Sequence, residues 1–361
     1  MFSQRTRRQL GLNALAAAAE RTPPRFDFTV SNPTLVGLSE VFDLPPAPRY
    51  QPEPLGLSSA REAVVHWYGG GDARQVLLSA SSSEAYAWLM QLTGDAGDEW
   101  LVPAPSYPLL DELARLTNVT LARYPLRFDG QWCIDFAALE AAATERTRAV
   151  VVVAPANPTG HSPSASEWQR LESLCAARGW ALVVDEVFGA PERSRLHAAA
   201  PCLRFVLGGL SKAAGQPQLK LSWTVAQGPR ADEALARLEW MADAFLSVGT
   251  PVQLALPRIL DGSAAFRARV EERRRLNLAT LRALSPPEFT VLPSDAGWSA
   301  VIRVGAEPDE QTRCLQLLER GALVQPGFFY DFPEGHHLVV SLLVEPDSLA
   351  ANWAGVVRGS G

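Results

Sequence analysis

"RAVVVVAPANPTG", residues 148–160, decides the fold. Its run of four valines has no polar alternation, so it reads as a strand buried on both faces, the kind found in the centre of a parallel sheet. The run ends in prolines and glycine, which cannot continue a strand, and "SEWQRLESLCAARG" (166–179) then takes up a helical pattern. The same order recurs along the chain. "QVLLSA" (75–80) precedes "SSEAYAWLMQLT" (82–93), "EWLVPAP" (99–105) precedes "LLDELARLT" (109–117), and "ALVVDEVF" (181–188) and "CLRFVLGGLS" (202–211) are two more apolar runs. Repeated strand and helix units predict a doubly wound, mostly parallel α/β domain.

Around that domain the pattern changes. Residues 23–56 are too proline-rich for a regular helix or a central strand and predict an extended arm lying over a surface. Helical territory runs from "ARLEWMADAF" (236–245) to "TLRAL" (280–284), and "FTVLPSDAGWSAVIRV" (289–304), "CLQLLERG" (314–321) and "HHLVVSLL" (336–343) predict a smaller α+β domain. The expected division is an arm over 1–45 contributing to the small domain and to dimer contacts, a large cofactor domain over 46–250, and a small domain over 251–361.

Composition narrows the function. A net charge of −6 over 361 residues gives no basic footprint for nucleic acid. No run reaches 18 apolar residues, and the alanine-rich start reads as a helix and not as a signal core, so a cytoplasmic protein without membrane association is expected. Cys133, Cys175, Cys202 and Cys314 lie far apart, which suggests reduced thiols and neither a disulfide framework nor a zinc site. His336 and His337 lack the spacing of a metal motif, and no metal is expected.

Ligands of doubly wound sheets bind beyond the carboxyl ends of the strands. Four such ends carry unusual residues: Asn157-Pro158-Thr159-Gly160, Asp185-Glu186, Lys212, and Ser81-Ser82-Ser83 opening a helix. A serine-rich helix start offers hydroxyls and free N–H groups to an anion, although an ordinary helix cap uses the same residues. Asp185, following four apolar residues, would be costly to ionise unless a cation or donor met it. Of the 33 cationic side chains, only Lys212 and Lys220 are lysine. A buried lysine can lose its proton and attack an aldehyde, which arginine cannot do at accessible pH, so a lysine kept against such a bias suggests an amine that is used.

"APANPTG", "VVDEVF" and "GGLSKAAGQPQLKLSW", in this order and at these separations, resemble the class I/II aminotransferase family of pyridoxal-phosphate enzymes, with the aspartate-aminotransferase-type fold (fold type I). The resemblance extends to "YQPEPLGLSSAREAV" (50–64) and "PAPSYPLLDEL" (103–113) and covers most of residues 30–345. It implies pyridoxal 5'-phosphate as cofactor, a small amino or oxo substrate, and a homodimer with shared active sites. Lys212 would hold the cofactor as a Schiff base and later carry the Cα proton. Asp185 would keep the pyridine nitrogen protonated, so that the ring acts as an electron sink. Asn157 would bond the ring 3′-oxygen, and Tyr107 would lie against the ring. Ser82, Ser83, Ser211 and Lys220 would line the cofactor and its phosphate, and Tyr50 would reach that phosphate from the other subunit.

Four positions depart from the family pattern. Lys220 stands where an arginine is usual, Gly209 where a phosphate-binding serine is common, and Phe188, which would still border the cofactor, where a tyrosine is usual. Val339 occupies the place of the arginine that binds the substrate α-carboxylate; without that bidentate donor, either Arg303 or Arg25 substitutes or the substrate has no carboxylate there. The resemblance therefore implies ping-pong amino transfer. The alternatives are a lyase or decarboxylase on the same scaffold, or a substrate-drifted homologue that does not transaminate.

Overall fold

The structure, a computed structural model, describes residues 5, 12–39, 43–46 and 51–358. In the arm, α1 (Ala14–Arg21) begins at Asn13, whose side chain accepts the Ala16 N–H, and β1 (Phe26–Asp27) follows. The large sheet and its helices comprise α2 (Ser58–Trp67), β2 (Val76–Ser79), α3 (Ser82–Thr93), β3 (Glu99–Ala104), α4 (Leu109–Thr117), β4 (Thr120–Phe128), β5 (Trp132–Ile134), α5 (Phe136–Ala142), β6 (Thr147–Val153), α6 (Ala165–Arg178), β7 (Ala181–Asp185), β8 (Arg204–Gly209), α7 (Leu210–Ala213), β9 (Ser222–Gln227) and α8 (Ala231–Asp243). Helix α9 (Thr250–Leu284) leads to β10 (Thr290–Val291), β11 (Ser299–Val304), α10 (Glu310–Glu319), β12 (Ala322–Leu323), β13 (Gln325–Pro326), β14 (His336–Ser341) and α11 (Pro346–Arg358).

The eight-stranded sheet has the order β2-β9-β8-β7-β6-β3-β4-β5. Its centre, β8-β7-β6-β3-β4, is parallel, and Leu101–Val102, Val150–Val152, Leu182–Val184 and Phe205–Leu207 are buried. Strand β9 is antiparallel to both β8 and β2, so two reversals return β2 to the direction of the central strands. The carboxyl end of β2 therefore emerges on the same edge as those of β8, β7, β6 and β3.

The smaller sheet, β10-β11-β14-β13, is antiparallel. Its inner face buries Ala300, Ile302, Leu338 and Val340 in one core with α10, α11 and the end of α9, and the arm adds Leu15 and Phe28. The expectation of an extended arm holds only in part: β1 pairs in parallel with β12, but residues 33–37 form a turn in which the Leu38 N–H donates to the Pro33 carbonyl at 3.0 Å. The 35-residue α9 serves both halves: Val252, Leu256 and Ile259 pack with α2, whereas Leu278 and Leu281 pack in the smaller core.

Candidate active site

Register sets the site. Asp185 ends β7 between Val153 of β6 and Leu207 of β8. Four residues beyond Val153 is Asn157; beyond Leu207 come Gly208, Gly209 and the short helix bearing Ser211 and Lys212. Three neighbouring strand ends thus deliver an amide, a carboxylate and an amine to one edge. One row further, Gly209 pairs with Ser222 and Ser222 with Ser79, which brings Ser81–Ser83 at the start of α3 beside them.

Asp185 is only 8% exposed. The Tyr86 hydroxyl donates to its Oδ2 at 2.8 Å and the Val187 N–H donates to Oδ1 at 3.0 Å. Burial raises the carboxyl above its ordinary value, opposed by those two donors and by the positive charge of Lys212. Burial likewise lowers the Lys212 ammonium, opposed by the charge of Asp185. Each group supports the charged form of the other, yet desolvation prevails at both. The result is an amine more readily neutral than an exposed lysine, the form that attacks a carbonyl.

An aromatic wall stands against that amine. Lys212 Nζ lies 5.1 Å from the Trp298 ring centre and 5.6 Å from that of Phe188, and the two rings meet edge to face at 5.3 Å. Phe266, Val270 and Leu38 complete the apolar cluster around Trp298, so a segment of the arm closes this flank. Ser39 of the arm donates its hydroxyl to the Gly215 carbonyl, and Arg269 and Arg273 of α9 donate to the carbonyls of Leu38 and Val36 at 2.8 and 2.7 Å. Asn157 is half-buried, and its Oδ1 accepts the Ser299 hydroxyl at 3.4 Å.

Ser81, not Ser82, caps α3: its Oγ accepts the Glu84 N–H at 3.2 Å. Glu84 is itself held, accepting the Ala80 N–H at 2.6 Å and the Ser247 hydroxyl at 2.7 Å. Ser82 and Ser83 occupy the first two helical positions, where backbone N–H groups have no partner inside the helix. Gly209 is explained by packing, because a Cβ there would lie 2.9 Å from Ser222 Cβ.

Tyr107, in the loop between β3 and α4, is 54% exposed. Lys220 is exposed and left-handed, at φ 50°, two residues before Ser222. Tyr50 lies outside the described residues. Val339 is buried on β14 between Val301 and Gln325. Arg303 is exposed two cross-strand pairs along, opposite His337 and on the face that carries Val339. Arg25 is exposed and rests against Phe26 and Gly321, at the β1–β12 pairing. No cluster of His, Cys, Asp and Glu able to hold a metal occurs among the described residues, and the four cysteines are free.

The sequence pattern does not pick out Tyr86, Trp298 or Ser299. Tyr86 and Trp298 read as core aromatics, and only the polar tip of a tyrosine on the apolar face of α3 hints that a buried partner is needed. No helix among the described residues is long and apolar enough to cross a membrane.

The residues suit pyridoxal phosphate. A buried acid ends one strand, a desolvated lysine opens the helix after the next, and a serine-bearing helix start lies on the same edge. Comparison with known proteins agrees. Residues 48–340 match the family described as aminotransferase class I and II. The chain is 29% identical over 358 residues to glutamate-pyruvate aminotransferase AlaA of Escherichia coli (strain K12), covering 93% of this chain and 88% of that protein. It is 30% identical over 323 residues to alanine aminotransferase of Mycobacterium bovis, covering 82% and 74%. It spans 62% of the corresponding glutamate-pyruvate aminotransferase AlaA of Haemophilus influenzae, at 28% identity. In fold it is similar to a crystal structure of an aminotransferase from Escherichia coli, with a TM-score of 0.81 at 23% identity over 96% of this chain and 93% of that one. It is also similar to a Thermus thermophilus aspartate aminotransferase mutant, with a TM-score of 0.80 at 20% identity over 99% of each chain. The strand-end cluster, the family match and the fold together establish that this chain belongs to the class I and II aminotransferases and is an aminotransferase of fold type I.

Proposed function

We propose that the chain binds pyridoxal phosphate at Lys212 and transfers an amino group between a small amino donor and an oxo acceptor in two half-reactions. The observation that carries this reading is the juxtaposition of the buried Asp185 carboxyl and the half-buried Lys212 amine, groups of opposite charge at neighbouring strand ends. The cofactor, when bound, supplies an aldehyde that captures the amino group and a ring that accepts the electrons released at Cα. Lys212 gives the attachment point, and its amine afterwards takes and returns the Cα proton. Asp185 keeps a negative charge against the ring nitrogen. Asn157, held by Ser299, gives N–H donors to the ring oxygen, with Phe188 beside it. The free N–H groups and hydroxyls of Ser82 and Ser83, with Ser211 and the point charge of Lys220, would hold the phosphate. Tyr107 would lie against the ring, and by the family resemblance Tyr50 of a second copy would reach the phosphate in a cytoplasmic homodimer.

Substrate recognition departs from a carboxylate-clamped amino acid. Val339 presents two methyl groups where the family resemblance implies a guanidinium, and its strand neighbours Val301 and Gln325 bring no cation. This favours donors whose affinity does not depend on an α-carboxylate. The relatives named above are glutamate-pyruvate and alanine aminotransferases, and they give no support to a lyase or decarboxylase.

Separated half-reactions test the proposal. Cofactor-loaded protein mixed with an amino donor alone should lose its visible absorption and release one equivalent of oxo product, and an oxo acid should restore the absorption. Release of ammonia with the absorption unchanged would refute amino transfer.

A further inference from the structure

Asp185 has to remain ionised in a place where ionisation is costly. Its charge is opposed by burial and by its neighbour Glu186, and supported by Lys212 from α7 and by two hydrogen-bond donors. Lys212 cannot be the lasting support, since an amine that attacks a carbonyl must first be neutral. Two donors remain. Val187 N–H binds Oδ1 from the same chain turn, and the Tyr86 hydroxyl binds Oδ2 at 2.8 Å from α3.

Tyr86 is suited to that task. It lies in the second turn of α3, 4% exposed, packed in the core with Trp88, Leu89 and Met90. Burial and the Asp185 charge both raise its phenol well above the ordinary tyrosine value, so the hydroxyl keeps its proton and serves as a donor. The other tyrosines nearby are engaged elsewhere: Tyr124 donates to the Val151 carbonyl at 2.6 Å, and Tyr68 accepts the Trp223 indole N–H at 3.0 Å. With one oxygen tied to the backbone and the other to α3, the carboxylate cannot turn about its Cβ–Cγ bond without breaking a hydrogen bond.

We propose that Tyr86 is a positioning residue for the cofactor acid, its phenol holding the Asp185 carboxylate ionised and in one orientation for the ring nitrogen. This rests on the reading of Lys212 and Asp185 as the pyridoxal-phosphate site. It adds a residue from α3, the helix whose start would hold the phosphate, so one element would set both the phosphate and the acid.

The test uses holoenzyme carrying Tyr86→Phe, which preserves the ring and removes the hydroxyl. Asp185 then loses its Oδ2 donor and binds its proton more tightly. The acidic limb of the kcat profile and of the bound cofactor's absorbance titration should move up by about one pH unit, the scale of one hydrogen bond to a charged group. At neutral pH kcat should fall about tenfold while KM for the amino donor stays within about twofold. A merely structural role would lower Tm and leave both limbs in place, which would overturn the proposal. If Tyr86→Phe fails to fold, 3-fluorotyrosine at position 86 retains the shape and makes a stronger donor. Its limbs should then move to lower pH, and unmoved limbs would overturn the proposal. Wild-type protein that acquires no visible absorption on loading with pyridoxal phosphate would overturn the site reading itself. Absorption present with limbs unmoved would overturn only the role of Tyr86.

Discussion

Gly209 and Ser222 face each other across β8 and β9, so closely that a Cβ on residue 209 would lie 2.9 Å from the Cβ of Ser222. The row continues to Ser79, whose hydroxyl lies 2.7 Å from that of Ser222. A serine at 209, expected from the family resemblance, does not fit this backbone. Gly209→Ser should therefore destabilise the protein by about 1–3 kcal/mol, the usual cost of overpacking, without tightening pyridoxal phosphate. Urea unfolding and a cofactor titration of the same variant measure the two effects.

The Asp185 carboxylate supports the positive charge of Lys212, and burial opposes it. Replacing it by Asp185→Asn removes the support, so the amine should become neutral at still lower pH. The rate at which apoprotein condenses with pyridoxal should then reach its plateau at lower pH than in wild type. The same change should reduce kcat by at least about a hundredfold, because the charge facing the ring nitrogen is gone.

Glu186 gives a stability signature distinct from catalysis. Its carboxyl is buried beneath the Ser194 hydroxyl and the Arg195 N–H, and burial lifts it from 4.5 to about 7. Between those values the native protein holds a proton that the unfolded chain has released. The contribution of Glu186 to stability should therefore fall as pH rises from 4.5 to about 7 and stay level above. In Glu186→Gln that part of the decline should vanish, as equilibrium unfolding across this range would register.

Val339 predicts an unusual substrate preference. Losing one partner of a bidentate charged pair typically costs about 2–5 kcal/mol, so an enzyme with that clamp favours an amino acid strongly over its decarboxylated amine. Here kcat/KM for the two should agree within about tenfold (roughly 1.4 kcal/mol). Arg303→Ala should leave the ratio unchanged. A preference of a thousandfold or more for the amino acid, lost in Arg303→Ala, would instead make Arg303 the carboxylate anchor.

The parallel centre of the sheet is legible because buried strands need uninterrupted apolar side chains, and Val150–Val153 and Leu182–Val184 have them. Strand β9 is less legible. Its residues Ser222 and Thr224 are polar yet buried, and on one side the strand pairs with β2, 143 residues away at Ser79 and Ser222. Lys212, Asp185 and Asn157 stand out because each breaks an apolar run at a strand end, and strand ends share an edge in this topology. Tyr86 does not stand out, since its hydroxyl meets Asp185 only through the packing of α3 on β7, 99 residues away. The same holds for the Trp298 wall, which depends on how the smaller sheet approaches α7.

The most direct measurement is borohydride reduction of pyridoxal-phosphate-loaded protein followed by peptide mapping. The pyridoxyl mass should appear on the peptide containing Lys212 and be absent from Lys212→Ala. A reduced adduct on Lys220 or on the N-terminal amine, with Lys212 unmodified, would contradict the assignment of the amine at the strand edge.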